Sequence, residues 1–177
     1  SSSDRPGGQG GKDIWVSEAD AEGFWQIPQN LGSLINTEFD EISPFIHTNN
    51  VSLFFSSDGR EGMGGFDVFV SKKINANWSQ PAHFGYPLND HAHQIGFYIS
   101  PDCQEMLYSY QYHATQRIYQ NLPQTVICRT LLPDSLVAWC PVVMFIKGMV
   151  RDGQTSEPLG ARVTIQSIHD SSNQVSN

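Results

Sequence analysis

Gly64-Gly65-Phe66-Asp67-Val68-Phe69-Val70-Ser71 decides the fold, because the chain writes it twice. Gly10-Gly11-Lys12-Asp13-Ile14-Trp15-Val16-Ser17 carries the same pattern at a displacement of 54. The likeness continues downstream: Trp25-Gln26-Ile27-Pro28 answers Trp78-Ser79-Gln80-Pro81, Leu31-Gly32 answers Phe84-Gly85, and Ile35-Asn36 answers Leu88-Asn89, all at 53. One inserted residue accounts for the difference. A period near fifty residues marks a repeat architecture, and the period has to be found before any local motif is interpreted.

A third, more divergent copy follows. Ile42-Ser43-Pro44-Phe45-Ile46 maps onto Ile95-Gly96-Phe97-Tyr98-Ile99, and Leu53-Phe54-Phe55-Ser56 onto Met106-Leu107-Tyr108-Ser109. The pattern then places Arg117-Ile118-Tyr119 where Asp67-Val68-Phe69 stands, with Arg117 in the position of the repeated aspartate. Each copy holds three short runs rich in β-branched and aromatic residues, parted by Gly, Asn, Asp and Pro clusters. A Trp-to-Pro stretch suited to an irregular outer strand closes it. This predicts an all-β fold with about four strands per unit. Such a unit cannot bury both of its faces alone, so copies are expected to pack face to face, most simply as the blades of a β-propeller.

Taken together, Ser100-Pro101-Asp102, Phe55-Ser56-Ser57-Asp58-Gly59 and the Asp-Ile-Trp and Asp-Val-Phe strands resemble the WD40-like, TolB-type propeller repeats of bacterial envelope proteins. The likeness covers about residues 1 to 125. Cys103 stands where that family has glycine after Ser-Pro-Asp, which argues against a left-handed turn there. Strand counting gives about two and a half blades over residues 1–132, fewer than the usual 4–8. The expectation is that the ring is completed by further sequence on the N-terminal side rather than by association of several chains.

After a proline-bracketed linker at 133–141 the pattern changes. Lys147 to Ile165 reads as strand, polar turn and alternating strand, and it resembles the opening hairpin of a carboxypeptidase regulatory-like β-sandwich, here over 142–177. The order of the two modules resembles Bacteroidota OmpA-family periplasmic lipoproteins, one of them a component of the type IX secretion system. That resemblance implies a periplasmic, outer-membrane-associated scaffold. Its partners would be other envelope proteins, with peptidoglycan bound through a domain outside this segment. The alternative is a glycan- or peptide-binding propeller module attached to a hydrolase.

Composition agrees with a folded chain that avoids nucleic acid. Of 177 residues 39% are hydrophobic and 11% aromatic, enough for a core. The 18 acidic against 10 basic residues give a net charge of −8, which repels phosphate backbones. No run of 18 apolar residues predicts a membrane span, and Ser1-Ser2-Ser3-Asp4-Arg5-Pro6 lacks a signal-peptide pattern. Because Ser1 reads as the middle of a repeat, that says nothing about destination. Cys103, Cys128 and Cys140 contain no CxxC and are expected to be free, a Cys128–Cys140 bridge being the other option.

No residue set predicts catalysis, a cofactor or a metal. Asp13 and Asp67 recur, whereas a catalytic carboxylate is needed once; they are expected to accept backbone N–H groups in the turn entering a strand. Trp15, Trp25 and Trp78 are expected to pack between blades. The glycine runs fail the phosphate-loop pattern, since Pro6 and Asp13 occupy positions that need Gly and Ser or Thr. They read instead as blade loops, with Gly8, Gln9, Gly10, Arg60, Glu61 and Met63 as candidate partner contacts. His83, His91 and His93 suggest a metal site only superficially, and Asn89 to His93 reads as a solvated loop. There is no Gly-x-Ser-x-Gly elbow, and Arg60 and Met63 break the Asp-box of sialidase propellers.

Overall fold

The structure is a computed structural model that describes residues 1–111, 125–137 and 155. The chain divides into two compact units, Ser1–Met144 and Phe145–Asn177. The hairpin expected over 142–177 lies outside the described residues except for Thr155, as does Arg117-Ile118-Tyr119.

Among the described residues the first unit is all-β apart from one helical turn, α1 (Asp134–Val137). Its first sheet holds β1 (Ser2–Ser3), β2 (Asp13–Val16) and β3 (Gln29–Asn30) in that order. The second holds β4 (Glu41–Ile46), β5 (Ser52–Ser57) and β6 (Asp67–Ile74), with the short β7 (Asn77–Trp78) and β8 (Ala82–His83) both pairing with β6. The third holds β9 (His93–Ile99), β10 (Glu105–Gln111) and β11 (Thr125–Leu131). Every pairing among these strands is antiparallel, and all but that of β6 with β8 join sequence neighbours, the arrangement that short Gly- and Asn-containing turns allow.

The repeat is visible in register. Ile42 pairs with Ser56, Phe45 with Phe54 and Ile46 with Leu53; 53 residues on, Ile95 pairs with Ser109, Tyr98 with Leu107 and Ile99 with Met106. Both ladders shift register at the same place, where Ser43 (φ 51) and Gly96 (φ 69) occupy the left-handed region. The turns before β5 and β10 match as well. Asn50 and Cys103 both have φ 57, so the left-handed turn that a cysteine at 103 argued against is present. The Cys103 amide donates to the Ser100 carbonyl at 2.9 Å, which holds the turn closed at the cost of the strain a non-glycine residue carries there.

One expected alignment is corrected. Ser109 faces Ile127 on β11 as Ser56 faces Val68 on β6, so Val126-Ile127-Cys128, not Arg117-Ile118-Tyr119, stands where Asp67-Val68-Phe69 stands. The displacement grows to 59 because the connection before β11 is six residues longer. Val126 replaces the repeated aspartate.

The core lies on both faces of the second sheet. Side chains alternate along a strand, so Leu53 and Phe55 on β5 and Phe69 on β6 project one way and join Ile14 and Ile35 of the first repeat. Phe54, Val68 and Val70 project the other way, onto Phe97, Ile99 and Met106 of the third sheet. The Phe54 ring is fully buried, with centroids 5.3 Å from Phe97, 5.7 Å from Phe84 and 6.0 Å from Phe45. Burying one such ring stabilises by about 1.5–3 kcal/mol. The middle sheet is therefore sandwiched between its neighbours.

Candidate functional site: the polar junction of each repeat

The polar residues singled out by the repeat meet at one end of the first sheet and again of the second, where a glycine-rich loop enters β2 and β6. Asp13 and Asp67 are both buried. Asp13 Oδ2 accepts the Gln9 amide at 2.5 Å; Asp67 Oδ2 accepts the Met63 amide at 2.7 Å and the Gly64 amide at 3.2 Å. A carboxylate three to four residues after these amides folds the loop back on itself. A Cβ on Gly8 or Gly62 would overlap the carboxylate of Asp13 or Asp67 respectively, so the glycine allows the close approach.

Three further positions complete the junction. Asn36 Oδ1 accepts the Ile14 amide at 2.7 Å and its Nδ2 donates to the Ile14 carbonyl at 3.1 Å; Asn89 does the same for Val68, at 2.8 and 2.9 Å. Each side-chain amide thus pairs with a strand as a neighbouring backbone would. Asn30 Oδ1 accepts the Gly32 amide at 2.7 Å, and its Nδ2 donates to Asp13 Oδ2 at 2.9 Å. In the second repeat His83 holds that place: its Nδ1 accepts the Gly85 amide at 3.1 Å, and its Nε2 lies 3.7 Å from Asp67 Oδ1.

The last contact runs between successive repeats. Asp40 Oδ1 accepts the Lys12 amide at 2.6 Å, and His93 Nδ1 accepts the Phe66 amide at 3.0 Å. Beside them the Glu41 amide donates to the Lys12 carbonyl at 2.6 Å, and the Gln94 amide to the Phe66 carbonyl at 2.7 Å. The entry loop of one repeat is thereby tied to the first strand of the next. Glu41, itself fully buried, accepts from the Thr37 amide and hydroxyl at 2.7 and 2.8 Å and from the Ser57 hydroxyl at 2.6 Å.

The carboxylates turn toward backbone amides, and Asp67 Oδ1 and His83 Nε2 are buried with no hydrogen-bond partner. Among the described residues no group of three or more His, Cys, Asp or Glu side chains could hold a metal ion. The histidines do not converge: His83 and His93 each accept a backbone amide, while His91 points outward beside Asp90 at 3.9 Å. The stretch from Asn89 to His93 is not the solvated loop expected of it. Asn89 and Ala92 are buried and His93 opens β9, because this segment packs against the preceding glycine pair.

The tryptophans differ from one another. Trp15 is buried under the Arg5 guanidinium, 5.1 Å from its ring. Trp78 is half-buried against the cluster holding Ile14 and Phe69, with Lys73 Nζ 5.9 Å above it. Trp25, expected to be packed, is 76% exposed, and it stands beside the exposed Phe24 and Ile27 on a hairpin closed by the Ala19–Trp25 bridge and Asp20. Its counterpart Trp78 is covered by the first repeat; nothing in the described chain covers Trp25 in that way.

Of the loop residues, Gly8, Gln9, Gly10, Glu61 and Met63 are exposed. Arg60 is not available in the same way. Its Nη2 donates to the Leu34 and Ile35 carbonyls at 2.7 and 2.9 Å, and its guanidinium lies 5.9 Å from the Phe55 and Phe69 rings. Burial holds the Arg60 guanidinium below its ordinary pKa, opposed by the charge of Glu41.

Cys128 is free, so the Cys128–Cys140 bridge does not form. Cys103 is disulfide-bonded, contrary to the expectation of free thiols, and its partner lies outside the described residues. Among the described residues no helix is long and apolar enough to cross a membrane. Comparison with family models, curated proteins and solved structures finds no match.

Asn36 and Asn89 stand at matching positions in the repeat, but their bonds to Ile14 and Val68 are not legible from residue type. The Asn30/His83 and Asp40/His93 positions were hidden because the residue types differ; the shared displacement of 53 was the available signal.

Proposed function

We propose that residues 1–132 are part of a β-propeller and act as a non-catalytic scaffold that binds other proteins of a bacterial envelope. The observation that carries this reading is the duplicated junction. The same carboxylate, amide and glycine positions are used twice, and in both copies one carboxylate oxygen and the asparagine amide are turned to backbone amides and carbonyls. Three sheets of matching register, packed one on the next, support the blade reading. The disulfide at Cys103 supports an oxidising compartment such as the periplasm. The periplasmic, outer-membrane-associated location, the link to peptidoglycan through another domain and the place in type IX secretion belong to the same proposal, and so does the start of a regulatory-like sandwich at 142–177.

Exposed aromatic residues held on an ordered hairpin suit protein contact. The test is site-specific photocrosslinking in the envelope of the source bacterium, from Trp25, Gln9 and Met63 on the full-length protein. Adducts with defined envelope proteins that vanish when the label is moved to the buried Val70 are expected. A cytoplasmic location by fractionation, or substrate turnover that depends on a residue of this segment, overturns the reading.

A further inference from the structure

Asn30 and His83 hold the same place in their repeats, but only Asn30 makes both of the bonds that the place offers. Its Oδ1 accepts the Gly32 amide at 2.7 Å while its Nδ2 donates to Asp13 Oδ2 at 2.9 Å. His83 makes the first, with Nδ1 accepting the Gly85 amide at 3.1 Å, and leaves the second open, with Nε2 3.7 Å from Asp67 Oδ1. Both of those facing atoms are buried and without a hydrogen-bond partner.

An Nδ1 that accepts an amide carries no proton, so the neutral ring bears its proton on Nε2, facing the carboxylate. A further proton has only Nδ1 to go to. There it removes the lone pair that Gly85 uses and sets one N–H against another, while the positive charge strengthens the pull between Nε2–H and Asp67 Oδ1. The carboxylate is fixed, because its Oδ2 is held by the Met63 and Gly64 amides, so the ring is the part that moves. Among the described residues, the ionisable groups brought to this place are Asp67 from β6, Arg60 from the loop before β6 and the exposed Tyr86 from the turn after β8. His83 and Arg60 meet the same Phe69 ring, at 5.2 and 5.9 Å. Arg60 opposes a charge on the imidazole but is engaged with the Leu34 and Ile35 carbonyls, whereas Asp67 Oδ1 has no other bond to give up.

We propose that His83 is a proton-driven switch in the second junction: the neutral ring holds the Gly85 amide, and the protonated ring releases it and closes on Asp67. Imidazole takes up its proton between about pH 8 and about pH 5, so the turn that presents Tyr86 is tied down in the upper part of that range and released in the lower. The first junction has no such switch, since the Asn30 amide makes both bonds without a proton. The proposal stands on the geometry of the second junction and is independent of the scaffold reading.

The test reads amide exchange at single residues by NMR in the whole 177-residue chain, at about pH 7.5 and about pH 5, with rates corrected for their intrinsic pH dependence. On acidification Gly85 is expected to lose protection by about tenfold or more, while Gly32 stays within about twofold. His83→Asn, which copies the first repeat, is expected to make Gly85 behave as Gly32 does. Imidazole nitrogen shifts of the wild-type chain at about pH 7.5 are expected to show the His83 proton on Nε2. A proton on Nδ1, unchanged protection at Gly85, an equal loss at Gly32 and Gly85, or the same loss in His83→Asn overturns the proposal. Should His83→Asn fail to fold, the comparison of Gly85 with Gly32 in the wild-type chain decides alone.

Discussion

Asn89 satisfies both backbone groups of Val68, accepting its amide at 2.8 Å and donating to its carbonyl at 2.9 Å, so a loop side chain takes the place of a strand at the heart of the second repeat. Both residues are fully buried, and no water can substitute for the amide without room being made. Asn89→Ala leaves two buried backbone groups unmet, at about 1–3 kcal/mol each. The expected loss is about 3 kcal/mol by urea denaturation. Asn36→Ala is expected to lose a similar amount through Ile14.

Asp67→Asn keeps an acceptor for the Met63 and Gly64 amides but gives up the charge-assisted part of those bonds. Asp67→Ala gives up both. Hydrogen bonds to charged groups contribute about 1.5–3 kcal/mol each, so the alanine variant is expected to be less stable than the asparagine variant by about 1 kcal/mol or more. Gly62→Ala tests the same contact from the other side, because its methyl overlaps the Asp67 carboxylate. A Gly62→Ala protein as stable as wild type would show that the loop has another conformation of equal energy.

Trp25 and Trp78 hold matching repeat positions with different burial, and they separate surface from core. Trp78→Ala is expected to cost about 2–3 kcal/mol by chemical denaturation, since it removes an indole from the cluster around Ile14 and Phe69. Trp25→Ala is expected to change stability by less than about 0.5 kcal/mol. Its effect should appear in association instead. The 177-residue chain exposes Phe24, Trp25 and Ile27 on the hairpin between β2 and β3, and Ile127 and Leu131 on β11, and it is expected to self-associate in sedimentation velocity. Replacing Phe24, Trp25 and Ile27 with serine is expected to shift it toward monomer.

Asp102 gives a pH-dependent contribution whose sign follows from its turn. The Ser100 hydroxyl at 2.6 Å and the Gln104 amide at 3.2 Å hold its carboxylate below the usual range. A carboxylate whose folded pKa is depressed adds stability above its unfolded value of 3.8, and that stability is lost as pH falls through the folded value. Asp102→Asn is therefore expected to be slightly less stable than wild type at about pH 7, with the difference closing at about pH 2. Urea midpoints at the two pH values check this. The side chain is exposed, so the effect is small.

Much of this architecture was legible in the chain, and for a physical reason. Face-to-face sheets need apolar residues of period two on both sides of the middle strands, and Leu53-Phe54-Phe55 and Val68-Phe69-Val70 state that requirement twice over. The position of β11 was not legible, because a longer connection moved the strand while Ile118 and Tyr119 offered an equally apolar run. The left-handed turn at Cys103 runs against the preference of its side chain; the Ser100 carbonyl and the packing of the sulfur into the core outweigh the preference for glycine. The junction was half legible. Identical residues such as Asp13 and Asp67 stood out, but a partner such as His83 is defined only by where its nitrogen comes to lie.

That last point reaches beyond this chain. Asn30 Oδ1 and His83 Nδ1 sit the same number of bonds from their Cα atoms, and so do Asp40 Oδ1 and His93 Nδ1; each pair delivers a lone pair to the same backbone donor. What is duplicated is a map of lone pairs, and amide, carboxylate and imidazole are interchangeable spellings of it. Repeats of this kind can drift far in letters while the map stands still, and a search that scored acceptor atoms by their bond distance from the backbone would find copies that a search by residue identity passes over.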